Sequence, residues 1–133
     1  MATLIDASVL IAAERGRLDW DDVIAGHADA EIALAAITAS ELLHGVHRAT
    51  SARIRARREA FVEHLLARIP LIPFDLVAAR VHARVCADLA MKGISVGAHD
   101  LLIGATALAT GGRVATRDVR SFPRIPGLDF MEW

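Results

Sequence analysis

The chain has one cysteine, no tyrosine, four phenylalanines and two tryptophans in 133 residues. A lone thiol, Cys86, excludes an internal disulfide and a thiolate zinc site. It lies in an apolar-periodic segment and reads as a small core residue. So few aromatics leave no base-stacking platform of the kind that RNA-recognition motifs use. No apolar run reaches the ~18–20 residues of a membrane-crossing helix. The opening MATLIDASVL lacks a basic flank, and Asp6 and Glu14 interrupt its apolar run, which argues against a signal peptide. There is no excess of either charge: 15 Lys+Arg stand against 16 Asp+Glu. Bulk charge therefore points to neither a nucleic-acid binder nor a membrane-surface protein. Lysine is nearly missing, since Lys92 is the sole one beside 14 arginines. What is abundant is apolar. Hydrophobic residues make up 54% and the mean hydropathy is +0.40, which excludes a disordered or low-complexity chain. The length suits one domain over residues 1–133, expected to be cytoplasmic.

Apolar periodicity gives the elements. Thr3-Leu4-Ile5 predicts a short buried strand ending at Asp6. Ala7–Glu14 predicts a helix stopped by Gly16. Asp19-Trp20-Asp21-Asp22 opens a polar helix running toward His27. Ile32–Ile37 is expected to be a second buried strand, with Thr38 opening the next helix. Ser51–Arg68 is amphipathic. The proline pair around Leu71-Ile72 enforces an extended piece. Asp75 caps a helix with the stripe Val77, Val81, Val85 and Leu89, closed by Lys92-Gly93. Gly97–Thr110 is apolar almost all round and predicts a buried helix, with Gly104 permitting a close approach. Arg113–Thr116 and a segment near Leu128–Phe130 are expected to be the last strands. Short apolar strands separated by helices predict an α/β fold, a parallel sheet with helices on both faces. In such sheets ligands bind at the carboxyl ends of the strands.

Acids stand at those ends. Asp6 follows the first strand, and Asp118 comes two residues after Thr116. Glu41 and Asp100 are expected in the first turns of two helices. Each has an ordinary structural explanation. Asp6 suits an N-cap. Thr38-Ala39-Ser40-Glu41 has the S/T-x-x-E form of a capping box. Asp118 suits an Asx turn. Asp100 fits such roles least, because a carboxylate on an apolar helix needs a cation. Four converging anions repel and raise one another's pKa, and a divalent cation removes that penalty. All-oxygen donors favour Mg²⁺ or Mn²⁺, with no His or Cys cluster to select a softer metal. The chemistry such a site serves is phosphoryl transfer or phosphodiester hydrolysis.

LIDASVLI, ITASELLHGV, GAHDLLIGATAL and VATRDVRSFPRIPGL, in that order and each carrying its acid, resemble the PIN-domain ribonucleases. The similarity is greatest to the VapC toxins of VapBC toxin–antitoxin modules and runs over nearly the whole chain. It implies a PIN-like three-layer α/β/α fold with a central, mainly parallel five-stranded sheet. It places Asp6, Glu41, Asp100 and Asp118 in a catalytic, Mg²⁺- or Mn²⁺-binding acidic site, with Asp118 auxiliary. Ser8 and Thr116 match hydroxyl positions that hold a carboxylate or a water. The implied activity is endoribonuclease cleavage leaving a 5′-phosphate and a 3′-hydroxyl. The implied partners are an RNA substrate, a cognate VapB-like antitoxin whose tail lies across the acids, and a second copy in a homodimer, with no membrane.

Other residues carry less. Arg48, Arg53, Arg55, Arg57 and Arg58 scatter around a helix and are expected to be a solvated face. Arg113, Arg117, Arg120 and Arg124 share the segment of Asp118 and are expected near the site, with Arg117 and Arg120 as phosphate contacts. Adjacent helical residues point about 100° apart, so His99 and Asp100 are not expected to share one ion. His44 and His47 read as surface or interface residues, and Trp20 and Trp133 as packing residues. Two rival functions are a PIN-like module that binds RNA or a partner without cutting, and a metal-dependent phosphotransfer domain. All four acids being present counts against the first. The second wants D-x-D or an acidic pair at the first strand, whereas the sequence has Asp6-Ala7-Ser8.

Overall fold

Five short strands alternate with six helices in the computed structural model, which describes residues 1–133. The order is β1 (Ala2–Ile5), α1 (Ala7–Glu14), α2 (Trp20–Gly26), β2 (Glu31–Ala35), α3 (Ala36–His47) and α4 (Ala52–Arg68). Then follow β3 (Leu71–Ile72), α5 (Leu76–Met91), α6 (Ala98–Ala109), β4 (Arg113–Thr116), a 3-10 turn (Phe122–Arg124) and β5 (Asp129–Glu132). Every strand pair is parallel, in the spatial order β3-β2-β1-β4-β5. The chain winds outward from β1 to β3, then returns to lay β4 on the other side of β1. Strand order therefore reverses between β1 and β4, and a crevice opens at their carboxyl ends.

Strand alternation feeds two cores, one on each face. Leu4, Ala35 and Val114 pack with Val85, Leu89, Ile103 and Ala107 of α5 and α6, plugged by fully buried Phe122. Ile5 and Leu34 face the other way, toward Val9, Leu10, Leu42, Val46, Val62 and Leu65 of α1, α3 and α4. This is the three-layer α/β/α arrangement. Gly104 sits where a Cβ would come 2.6 Å from Ile125 Cδ1, which explains a glycine inside a buried helix. No helix is long and apolar enough to cross a membrane.

Several expectations need correction. β2 ends at Ala35, and Ala36-Ile37 are already helical, so Glu41 lies in the second turn of α3. No capping box forms there: the N-cap is Ala35 without a side-chain bond, and Thr38 Oγ1 is buried without a partner. An apolar run has the same sequence signature in a strand and in a buried first turn. β5 lies one residue later than expected, and Val77 is 56% exposed rather than core. Cys86 is half-buried against the His82 ring, its Sγ 3.6 Å from Nε2. Arg113 begins β4, at the edge opposite the acids, and donates to Thr3 Oγ1.

Candidate active site

Asp6 ends β1 and begins α1 with extended backbone angles, φ −70° and ψ 149°. Its N–H donates to Ala115 O, which ties it to β4. It stands at the N-cap, but its side chain makes no cap bond. Two hydroxyls donate instead to Oδ2: Ser8 Oγ at 2.6 Å and Thr116 Oγ1 at 2.9 Å. Both are held in turn, since Ser8 Oγ accepts from Arg117 N–H and Thr116 Oγ1 from Asp118 N–H. Asp6 is 6% exposed, no Arg, Lys or His pairs with it, and no hydrogen bond reaches its Oδ1. Its charge is met by hydroxyl donors alone.

Two of the other acids, Glu41 and Asp100, feel its charge. Burial pushes the Glu41 carboxyl above its ordinary range; Asp6 and Asp100 add to the shift and His99 opposes it. His99 Nδ1 lies 3.0 Å from Glu41 Oε1. Burial also raises Asp100; the Ser121 hydroxyl opposes that shift, and the charges of Asp6 and Asp118 reinforce it. Asp118 goes the other way, because hydrogen bonds from Arg120, side chain and backbone, hold its carboxyl low. Its Oδ1 accepts both the Arg120 N–H and Nε–H at 3.1 Å, so the Asx turn exists and is joined to an ion pair. Asp6, Glu41 and Asp100 thus reach one another electrostatically and Asp118 reaches Asp100, yet no three donors close into a metal cage here. An all-oxygen donor set, two carboxyls raised by burial and an Asp6 oxygen that no hydrogen bond occupies fit a hard divalent cation.

The sequence did not reveal the His99–Glu41 pair. The two residues are far apart in the chain, and no local spacing signals a contact that depends on packing α3 beside α6. Of the arginines on α4 and before it, Arg55 donates to Ala49 O and Arg58 to Gly45 O, while Arg57 and Arg58 flank Glu14. They brace helices as well as facing solvent. Trp133 stacks on His27, and its backbone N–H donates to Thr116 O. A cavity of about 860 Å³ opens beside Glu41 and His99, with Leu10, Leu43 and Phe61 among its walls.

Carboxylates collect at the switch point of a parallel sheet, and the sequence profile of the PIN domain matches residues 3–128. The chain belongs to the PIN-domain family, in its VapC branch. Ribonuclease VapC1 of Rickettsia felis is 33% identical over 98% of this chain and 96% of its own length. The tRNA(fMet)-specific endonuclease VapC of Salmonella typhimurium is 33% identical over 75% of this chain and 74% of its own. The crystal structure of DNA-bound VapBC from Salmonella typhimurium superposes with a TM-score of 0.89 at 26% identity, covering 100% of this chain and 98% of that one.

Proposed function

We propose that the chain is a divalent-metal-dependent endoribonuclease, the toxin of a type II toxin–antitoxin pair, acting in the cytoplasm as one domain. The observation that carries this reading is Asp6: buried, held by two hydroxyls, excused from capping and left without a cation. In this reading Asp6, Glu41 and Asp100 hold Mg²⁺ or Mn²⁺, and Asp118 assists. A divalent ion held there would supply neutralisation of phosphate charge and activation of a water. Ser8 and Thr116 fix the Asp6 carboxylate so that no reorganisation is needed when substrate arrives. His99 holds Glu41 in place from α6. Arg117 lies on the loop after β4, where it meets RNA phosphate, while Arg120 on the same loop is held by Asp118. VapC relatives named as ribonucleases and as a tRNA(fMet)-specific endonuclease support RNA as the substrate.

The partly apolar cavity beside Glu41 suits a peptide segment, which supports a VapB-like antitoxin lying across the acids. The solved VapBC assembly supports the same partner, and in this reading the chain acts as a homodimer. The test is cleavage of total RNA with Mn²⁺, with EDTA, and by Asp6→Asn. Cleavage is expected only in the first case. Equal cleavage by Asp6→Asn refutes the site, and cleavage in EDTA refutes the metal.

A further inference from the structure

We propose that a second basin beside the acids, walled by Arg15, Arg17 and Arg117, binds a backbone phosphate of the RNA strand next to the bond that is cut. The proposal rests on the ribonuclease reading and deepens it. The basin measures about 510 Å³, within the ~300–1,000 Å³ of ligand clefts. Two elements build it. α1 ends at Glu14, and Gly16, at φ +72°, reverses the chain so that Arg17 N–H reaches back to Ala12 O. That reversal presents Arg15 and Arg17 on either side of the turn. The loop after β4 supplies Arg117, Asp118 and Arg120 as the facing wall.

Charge accounting separates this basin from ordinary surface. Its lining holds four arginines and one acid, and that acid, Asp118, is already taken by Arg120. Arg15, Arg17 and Arg117 have no carboxylate partner, whereas Arg57 and Arg58 have Glu14. A helix C-terminus favours a cation and accounts for Arg15. It does not account for Arg117, brought from another element to face the same space. Three guanidinium groups lining one space offer an arriving anion several donors at once. Guanidinium forks suit phosphate oxygens, which they bind in bidentate fashion.

Position gives the basin its role. Ser8 lines it, and the same Ser8 hydroxyl donates to Asp6 Oδ2 while accepting from Arg117 N–H. One hydroxyl thus separates the basic wall from the buried acid. The scissile phosphate belongs among the carboxylates, so the basin takes a neighbouring one and sets the strand's direction across the site. Arg120 is engaged with Asp118, which leaves Arg15, Arg17 and Arg117 as the contacts.

The test measures binding of a short, labelled, mixed-sequence single-stranded RNA to the full chain in EDTA, by fluorescence anisotropy across a NaCl series. For single strands, log K falls against log salt by about 0.7 per phosphate contact. R15Q/R17Q and, separately, R117Q are expected each to weaken binding and flatten that slope by about 0.7 or more. R80Q/R84Q on α5 is expected to leave it unchanged. The proposal is overturned by an unchanged slope in both basin variants, by equal loss in R80Q/R84Q, or by no salt-dependent binding in the unsubstituted protein. It is also overturned if the basin variants hold RNA but lose their antitoxin, which would assign the basin to an acidic protein segment. Mn²⁺-dependent cleavage is read separately: a protein that cuts nothing refutes the ribonuclease reading, while one that cuts with unaltered slopes refutes the basin alone.

Discussion

Asp6 occupies the N-cap position of α1 and caps nothing there. A carboxylate at an N-cap normally accepts from the first turn and stabilises the helix by about 1 kcal/mol. Here that contact is given up and two hydroxyls aim the group elsewhere. Ser8→Ala and Thr116→Val are therefore expected each to weaken Mn²⁺ affinity about 10–100-fold, as loss of a group that orients a ligand does. Calorimetric titration with Mn²⁺ checks this, and wild-type affinity in both variants would sink the positioning role. Glu41 and Asp100 carry a complementary cost. Their native pKa values are raised, so the folded form holds its proton more tightly than the unfolded chain. Without metal they destabilise the fold at neutral pH, and that penalty fades as pH falls through the raised values toward the ordinary carboxylate range. Asp100→Asn in EDTA is expected to melt higher than the unsubstituted protein at pH 7, by no more than about 1 kcal/mol because the site is half open to water. The gap is expected to close on acidification. Melting curves at several pH values decide it, and a gap that widens toward low pH contradicts the sign.

Elements set where these residues meet. β1 pairs with β4 in the register Leu4–Val114 and Ile5–Ala115, which brings Asp6 beside Thr116. Just before the paired residues stands Gly112, where an added Cβ would stand 2.5 Å from the Ala2 carbonyl oxygen. That obstacle is backbone and cannot rotate away. At Gly104 the obstacle is the end of the Ile125 side chain, and alanine also gains about 1 kcal/mol of helix propensity. Gly112→Ala is thus expected to destabilise by about 2–3 kcal/mol, an overpacking cost, and Gly104→Ala by less. Urea denaturation ranks the two, and the reverse order removes the argument. The same elements show what was legible in the sequence. Asp6, Asp100 and Asp118 could be placed because each directly follows a strand or opens a helix marked by its own periodicity. Glu41 was assigned to the right helix but to the wrong turn, since hydrophobicity cannot distinguish the end of β2 from a buried start of α3. Arg113 was misplaced because proximity in sequence to Asp118 ignores strand direction: Arg113 and Asp118 lie at opposite ends of β4. The Glu41–His99 pair and the two-sided arginine basin depend on tertiary packing and left no local mark.

At the scale of the whole molecule, the two cores hold the sheet from both faces and leave its carboxyl edge as the place where charge collects. The near-zero net charge hides this arrangement. Repelling carboxylates gather at the switch point, with unpaired arginines on the adjoining wall, and their sum conceals both. A molecule of this kind gains stability when a counter-ion arrives, because repulsion already present in the fold is removed. Mn²⁺ at a hundred times its Kd is expected to stabilise the native state by about 2.7 kcal/mol, the linkage value for one site. The melting temperature is then expected to rise by several degrees, and EDTA to reverse the rise. Raised NaCl at matched ionic strength is not expected to reproduce it, because screening acts weakly on half-buried groups. Asp6→Asn and Asp100→Asn are each expected to abolish most of the shift, while the carboxylates of Glu59 and Glu63 on α4 are expected to be dispensable. A full Mn²⁺ shift in Asp100→Asn would place the ion elsewhere on the molecule and detach the metal from the switch point.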